Sequence, residues 1–141
     1  MIAAKLKPRG VDDWGDGAFD SPRGDKKHKG IDYCCDVGAE ILSPCIGQVT
    51  KLGYPYSYKK GFNFRYVEVT DLTGLKHRVF YIKPAVNLGQ QVTILAVIGH
   101  GQDISGKFSS PRRKPMKNHV HYEILDKGQP INPEGFHNVD S

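Results

Sequence analysis

Glycine and proline interrupt this chain too often for long helices. Sixteen glycines and nine prolines stand among 141 residues. Glycine costs backbone entropy inside an element, and proline removes a backbone donor, so both settle best where a chain turns. The expected fold class is therefore mostly β, with short strands joined by many turns and no helix of length. The length allows one domain, 1–141, with 1–14 as a loop-like lead-in and 136–141 as a tail. Apolar residues make up 38% and charged residues 25%, which fits a soluble globular domain rather than a disordered one. No apolar run approaches the ~20 residues of a membrane span. Met1-Ile2-Ala3-Ala4 before Lys5 lacks the apolar stretch of roughly 7–15 residues that a secretory leader carries, so no signal peptide is expected.

Strand-like pieces fall at about 29–34, 40–43, 46–53, 64–70, 76–83, 91–98 and 119–125, by alternation and β-branched content. Asp71-Leu72-Thr73-Gly74 reads as a turn, which makes 64–83 a hairpin. Residues 1–27 are polar and turn-rich. Residues 99–118 hold three glycines, two prolines and Arg112-Arg113-Lys114, and read as one long loop.

The net charge is +5, with pI near 9.1. That favours anionic partners such as nucleic acid, lipid headgroups or a wall polymer, and no nucleic-acid motif accompanies it. Arg112-Arg113-Lys114 either binds such a polymer or is a solvated charge run. Cys34, Cys35 and Cys45 form no CxxC pair, so they read as packed free thiols rather than a zinc knuckle or disulfide framework. Trp14, Tyr54, Tyr56 and Tyr58 either line a groove or anchor loops.

Two short motifs carry chemistry: His28-Lys29-Gly30-Ile31-Asp32 and Asn118-His119-Val120-His121-Tyr122-Glu123. Residues two apart on a strand share a face. His119 and His121 therefore face one site, while Val120, Tyr122 and Ile124 face the other way. His28 and Asp32 are about 13 Å apart on a straight strand, and Gly30 permits the bend that brings both inward. Imidazole and carboxylate suit Zn²⁺. Three protein ligands with an open fourth position make the pattern of a catalytic rather than a structural zinc.

The chain resembles the lysostaphin/LytM-type zinc endopeptidases. The matching stretches are Arg23-Gly24, His28 to Tyr33, Gly38 to Ile41, Ser43 to Val49, Gly89 to Val92, Ile98-Gly99, His119 to Ile124 and Gly128 to Pro133. The resemblance spans about 15–135. It implies a small antiparallel β-sheet domain with a loop-walled groove. It also implies one zinc ion held by His28, Asp32 and His121, with His119 catalytic beside it. The implied activity is hydrolysis of peptide bonds in bacterial peptidoglycan, in the manner of a phage endolysin. Such an enzyme is expected to be monomeric, without nucleic-acid partners, and to stay in the host cytoplasm until lysis admits it to the wall.

One stretch departs from the family. Where a Tyr-x-His-Leu segment is usual, this chain reads Tyr81-Ile82-Lys83-Pro84. Lys83 stands in the place of a catalytic histidine. Phe80-Tyr81-Ile82-Lys83-Pro84 also resembles the leukocyte cell-derived chemotaxin group, which keeps the fold and the ligands and is regarded as non-peptidase. Two alternatives therefore stand beside the enzyme: a non-catalytic zinc-containing binding module, and a structural phage or envelope component. If the chain is an enzyme, Lys83 offers a cation and Tyr81 a hydroxyl to a developing oxyanion. His77 lies six residues before Lys83, too far along a strand to replace the histidine. His100 is a further candidate, and His137 reads as a solvated tail residue.

Overall fold

In the computed structural model, the described residues are 30–56, 63–104 and 118–133, with the backbone of five two-residue strands ahead of them. Those five are β1 (Lys7–Pro8), β2 (Val11–Asp12), β3 (Gly15–Asp16), β4 (Pro22–Arg23) and β5 (Lys26–Lys27). Ten more follow: β6 (Ile31–Cys34), β7 (Glu40–Leu42), β8 (Gly47–Gly53), β9 (Tyr66–Asp71), β10 (Lys76–Phe80), β11 (Ile82–Pro84), β12 (Gln91–Val92), β13 (Val97–Gly101), β14 (His119–Asp126) and β15 (Gln129–Ile131). No helix among the described residues is long and apolar enough to cross a membrane.

Among the described residues the main sheet has eight strands. Its order is β1-β6-β14-β10-β9-β8-β12, with β15 also on β14. A second sheet has the order β11-β13-β7. Every ladder in both sheets is antiparallel, as the mostly β reading expects. The hairpin forms where the turn residues place it. Asp71 Oδ1 accepts bonds from the Thr73 and Leu75 amides at 2.8 and 3.0 Å, a local side-chain turn that joins β9 to β10.

The sheets share one apolar core. Ile31, Val49, Val67, Val69, Val79, Val120, Tyr122 and Ile124 line the inner face of the main sheet. Ile41, Ile82 and Ile98 come from β7, β11 and β13 of the second. Period-2 alternation then sends the intervening residues to the opposite face of the main sheet. That face carries Asp32, Cys34, His119, His121 and Glu123.

Two expected strands divide. The stretch 76–83 breaks at Tyr81, whose φ is +71°. β10 stays in the main sheet and β11 crosses to the second. The stretch 91–98 breaks at a turn in which the Ala96 amide bonds to the Thr93 carbonyl at 3.0 Å, leaving β12 and β13 in different sheets. The expected loop 99–118 begins later than its glycines suggest, since β13 runs to Gly101.

Candidate metal centre

The centre is built on two neighbouring strands, β6 and β14, whose register sets Asp32 opposite His121 and Cys34 opposite His119. Directly paired residues share a face, with Cβ atoms about 4.5–5.5 Å apart. Gly30 allows the approach. A Cβ there would lie 2.2 Å from the Tyr122 carbonyl oxygen and 3.0 Å from His121 Cε1. Close backbone packing therefore adds to the freedom to bend as a reason for glycine.

His121 sits between two carboxylates. Its Nδ1 is 2.9 Å from Asp32 Oδ1, and its Nε2 is 2.9 Å from Glu123 Oε1. Burial works against the charged ring, but the bonds to Asp32 and Glu123 outweigh it and push the pKa up to about 9. His119 Nε2 lies 3.5 Å from the other Asp32 oxygen, Oδ2. Asp32 and His119 are 2% and 3% exposed, so this is a sunken site with little water to screen its charges.

Aromatic rings flank the imidazoles. Phe80 meets His121 edge-to-face at 5.2 Å, and Tyr81 meets His119 edge-to-face at 5.6 Å. The Tyr81 hydroxyl is 2.8 Å from that of Tyr56. Phe64 and Ile104 form a small apolar cluster behind Tyr56 and Tyr81. The next row of the same face runs Glu123, Arg78, Glu68 across β14, β10 and β9. Arg78 Nε donates to Glu68 Oε2 at 2.7 Å, and Thr50 Oγ1 donates to Glu68 Oε1 at 2.7 Å. Burial opposes the Glu68 charge, but these bonds with the Arg78 and Lys76 charges hold its pKa below the ordinary carboxylate value.

Of the six expected site residues, the structure brings Asp32, His119 and His121 together, with the Tyr81 ring against His119. His28 lies outside the described residues. Lys83 is exposed on β11, opposite His100 on β13. No described hydrogen bond or ion pair joins Lys83 to Asp32, His119 or His121. Among the described residues no three His, Cys, Asp or Glu side chains are grouped so as to hold a metal ion. The donors present nonetheless suit zinc. A carboxylate and an imidazole nitrogen sit at contact distance, and a second carboxylate holds the far nitrogen of that ring. Glu123 is the site residue that sequence reasoning misses. Its position two residues after His121 on a strand is the signal that points to it.

The other candidates resolve differently. His77 faces inward and is 2% exposed, with Nδ1 2.7 Å from the Tyr122 hydroxyl and Nε2 2.8 Å from Asp71 Oδ2. No disulfide joins Cys34, Cys35 or Cys45. Cys45 is buried, while Cys34 and Cys35 are only half-buried, so they are less enclosed than expected. Burial, with Cys34 and Asp36 nearby, pushes the Cys35 thiol up to about 11, far from a reactive thiolate. Tyr54 is exposed, with the Arg65 guanidinium 4.1 Å from its ring centre. Trp14, Tyr58, Arg112-Arg113-Lys114 and His137 lie outside the described residues.

Comparison with known proteins agrees with the fold. Residues 26–133 match Peptidase family M23. Mouse leukocyte cell-derived chemotaxin-2 is 26% identical over 125 residues, covering 86% of this chain and 76% of that protein. The catalytic domain of the prophage-encoded M23 protein EnpA from Enterococcus faecalis superposes with a TM-score of 0.67 at 17% identity, over 95% of this chain and 93% of that one. The catalytic domain of lysostaphin from Staphylococcus simulans gives 0.65 at 17% identity, over 96% and 98%.

Proposed function

The chain belongs to peptidase family M23, and from that premise we propose that it is a zinc-dependent endopeptidase hydrolysing peptide bonds of bacterial peptidoglycan, as a phage endolysin-type lytic enzyme. The observation that carries this reading is the Asp32–His121 pair at 2.9 Å with His119 3.5 Å from the same carboxylate. His28, Asp32 and His121 would hold one zinc ion. When bound, the metal supplies Lewis-acid polarisation of the scissile carbonyl and lowers the pKa of an attacking water.

The chain's own residues do the rest. His119 takes the proton of the attacking water at Nε2, as a general base. The imidazolium so formed lies 3.5 Å from Asp32 Oδ2, where opposite charge in a sunken site stabilises it. The Tyr81 hydroxyl donates to the developing oxyanion, and Lys83 offers a cation to it. Phe80 and Tyr81 hold the two imidazoles in place by ring contact. In this reading residues 1–141 act as one monomeric domain, kept in the host cytoplasm until lysis opens the wall. The +5 charge suits an anionic polymer.

The test is digestion of purified sacculi by the zinc-loaded protein, with and without a chelator, read by mass spectrometry of released muropeptides. Expected is chelator-sensitive release that His119→Ala abolishes. No release anywhere between pH 6 and 9 with zinc bound overturns the enzyme. One observation favours a second reading, a zinc-containing binding module without turnover. Lys83 replaces the usual histidine, and no described bond ties it to the three clustered residues. That reading expects bound zinc and retention on sacculi, but no fragments.

A further inference from the structure

Glu123 is 7% exposed, yet the mechanism above gives it no task. A buried carboxylate is costly unless its oxygens are bonded. Glu123 Oε1 meets His121 Nε2 at 2.9 Å, on the side of the ring away from Asp32. The cation beside it in the ladder is engaged elsewhere. Arg78, opposite Glu123 in the ladder, gives its Nε to Glu68, and Glu68 is itself buried and held by Thr50. Arg78 is thus tied to Glu68 rather than to Glu123, and the described bond of the Glu123 carboxylate is the one to the His121 ring.

We propose that Glu123 is a positioning residue for His121: its carboxylate accepts the Nε2 proton, keeps Nδ1 turned toward Asp32, and so sets the affinity of that pair for a divalent cation. This rests on the zinc reading above. The two ring nitrogens are distinct, and the hydrogen bond made by one decides which form the other presents. A carboxylate behind a ligand imidazole also raises its basicity, and losing such a partner costs about 10–100-fold in metal affinity. A competing arrangement would place the ion between Nε2 and Glu123, making the glutamate a ligand. The His119 geometry argues against it, because Nε2 of His119 converges on Asp32 and not on Glu123.

The experiment measures zinc affinity by competition with a chromophoric chelator, for wild type, Glu123→Gln, Glu123→Ala, Asp32→Asn and His121→Ala. The nitrogen chemical shifts of His121 in the zinc-loaded wild type and Glu123→Gln are read alongside. Expected are a roughly 10–100-fold loss for Glu123→Ala, a smaller loss for Glu123→Gln, whose amide oxygen still accepts the bond, and far larger losses for Asp32→Asn and His121→Ala. The wild-type shifts should report protonated Nε2 and metal-bound Nδ1. If Glu123→Ala does not fold, Glu123→Gln and the shifts carry the test. Equal affinity in wild type and both Glu123 variants overturns the proposal alone. So does a loss as complete as that of Asp32→Asn, since Glu123 would then be a ligand. Wild type that takes up no zinc overturns the metal reading beneath it.

Discussion

Gly30 admits no side chain larger than hydrogen. A methyl group at this position would meet the Tyr122 carbonyl oxygen at 2.2 Å, and that atom is backbone in the middle of β14, so it cannot swing aside. Gly30→Ala therefore has to push β6 away from β14 or distort β14 itself. Overpacking of this kind costs about 1–3 kcal/mol. The same movement separates Asp32 from His121, so zinc affinity should fall together with stability. Denaturant melts and a zinc titration check both, and an alanine variant with unchanged affinity would show that the site tolerates the shift. The HxH pair is legible in the sequence because alternation on a strand is enough to place two imidazoles on one face. Glu123 obeys the same rule and is still easy to miss. A glutamate on a solvent-directed strand face reads as ordinary, and only its burial and its bond to Nε2 distinguish it.

At the scale of elements, the hairpin is readable and its continuation is not. Asp71-Leu72-Thr73-Gly74 announces a turn in residue types alone. Nothing in Phe80-Tyr81-Ile82 announces that Tyr81 adopts φ +71° and sends the chain into the second sheet. A non-glycine residue in this region is strained, and such strain persists where surrounding contacts over-determine it. Here the Tyr81 amide donates to the Arg65 carbonyl at 2.8 Å, its carbonyl accepts from Gln102 at 2.9 Å, and its ring meets Phe64, Tyr56 and His119. Tyr81→Phe keeps all of these and removes only the hydroxyl beside Tyr56. If the hydroxyl serves the oxyanion, kcat falls about 10²–10³-fold with the melting temperature nearly unchanged; a fall confined to KM would assign it to binding instead. The break inside 91–98 is illegible for a similar reason. Gln91 to Ile98 contains neither glycine nor proline, so composition offers no sign of the turn at Thr93–Ala96.

The same hairpin has its own pH dependence. Burial opposes the Asp71 charge, but bonds from Thr73, His77 and Leu75 outweigh it and hold its pKa below the ordinary 3.8. A depressed carboxylate contributes stability at pH values above its ordinary pKa, and the contribution is lost as pH falls through the folded value. Asp71→Asn should therefore destabilise the protein by about 1–3 kcal/mol at pH 7. The gap from wild type should begin to narrow as pH falls through the ordinary 3.8 and close only below the depressed folded value, where the wild-type carboxylate is also protonated. Urea melts at pH 7, 5 and 3 follow this, and a gap that stays constant across that range would mean that shape rather than charge matters at Asp71.

At the scale of the whole molecule, the metal reading makes a prediction about stability as well as chemistry. Asp32 and His121 lie 89 positions apart in sequence, yet they face one another across β6 and β14. An ion held by both would clamp the early and late parts of the chain together in the folded state and find no such pair in the unfolded one. A ligand of that kind stabilises by RT ln(1 + [L]/Kd), about 2.7 kcal/mol at a hundredfold excess over Kd. For a chain of this length that raises the melting temperature by roughly 10 °C. The rise should keep growing with zinc concentration after the site is full, because the linkage is logarithmic. Chelator should reverse it, and Asp32→Asn should abolish it while leaving the fold. Surface zinc on scattered histidines would behave otherwise. It would persist in Asp32→Asn and bind the unfolded chain too, so the melting temperature would move little or downward. Calorimetry across a zinc series for both proteins separates the two outcomes without any assay of turnover, and so tests the metal site even if Lys83 leaves the protein a binder rather than an enzyme.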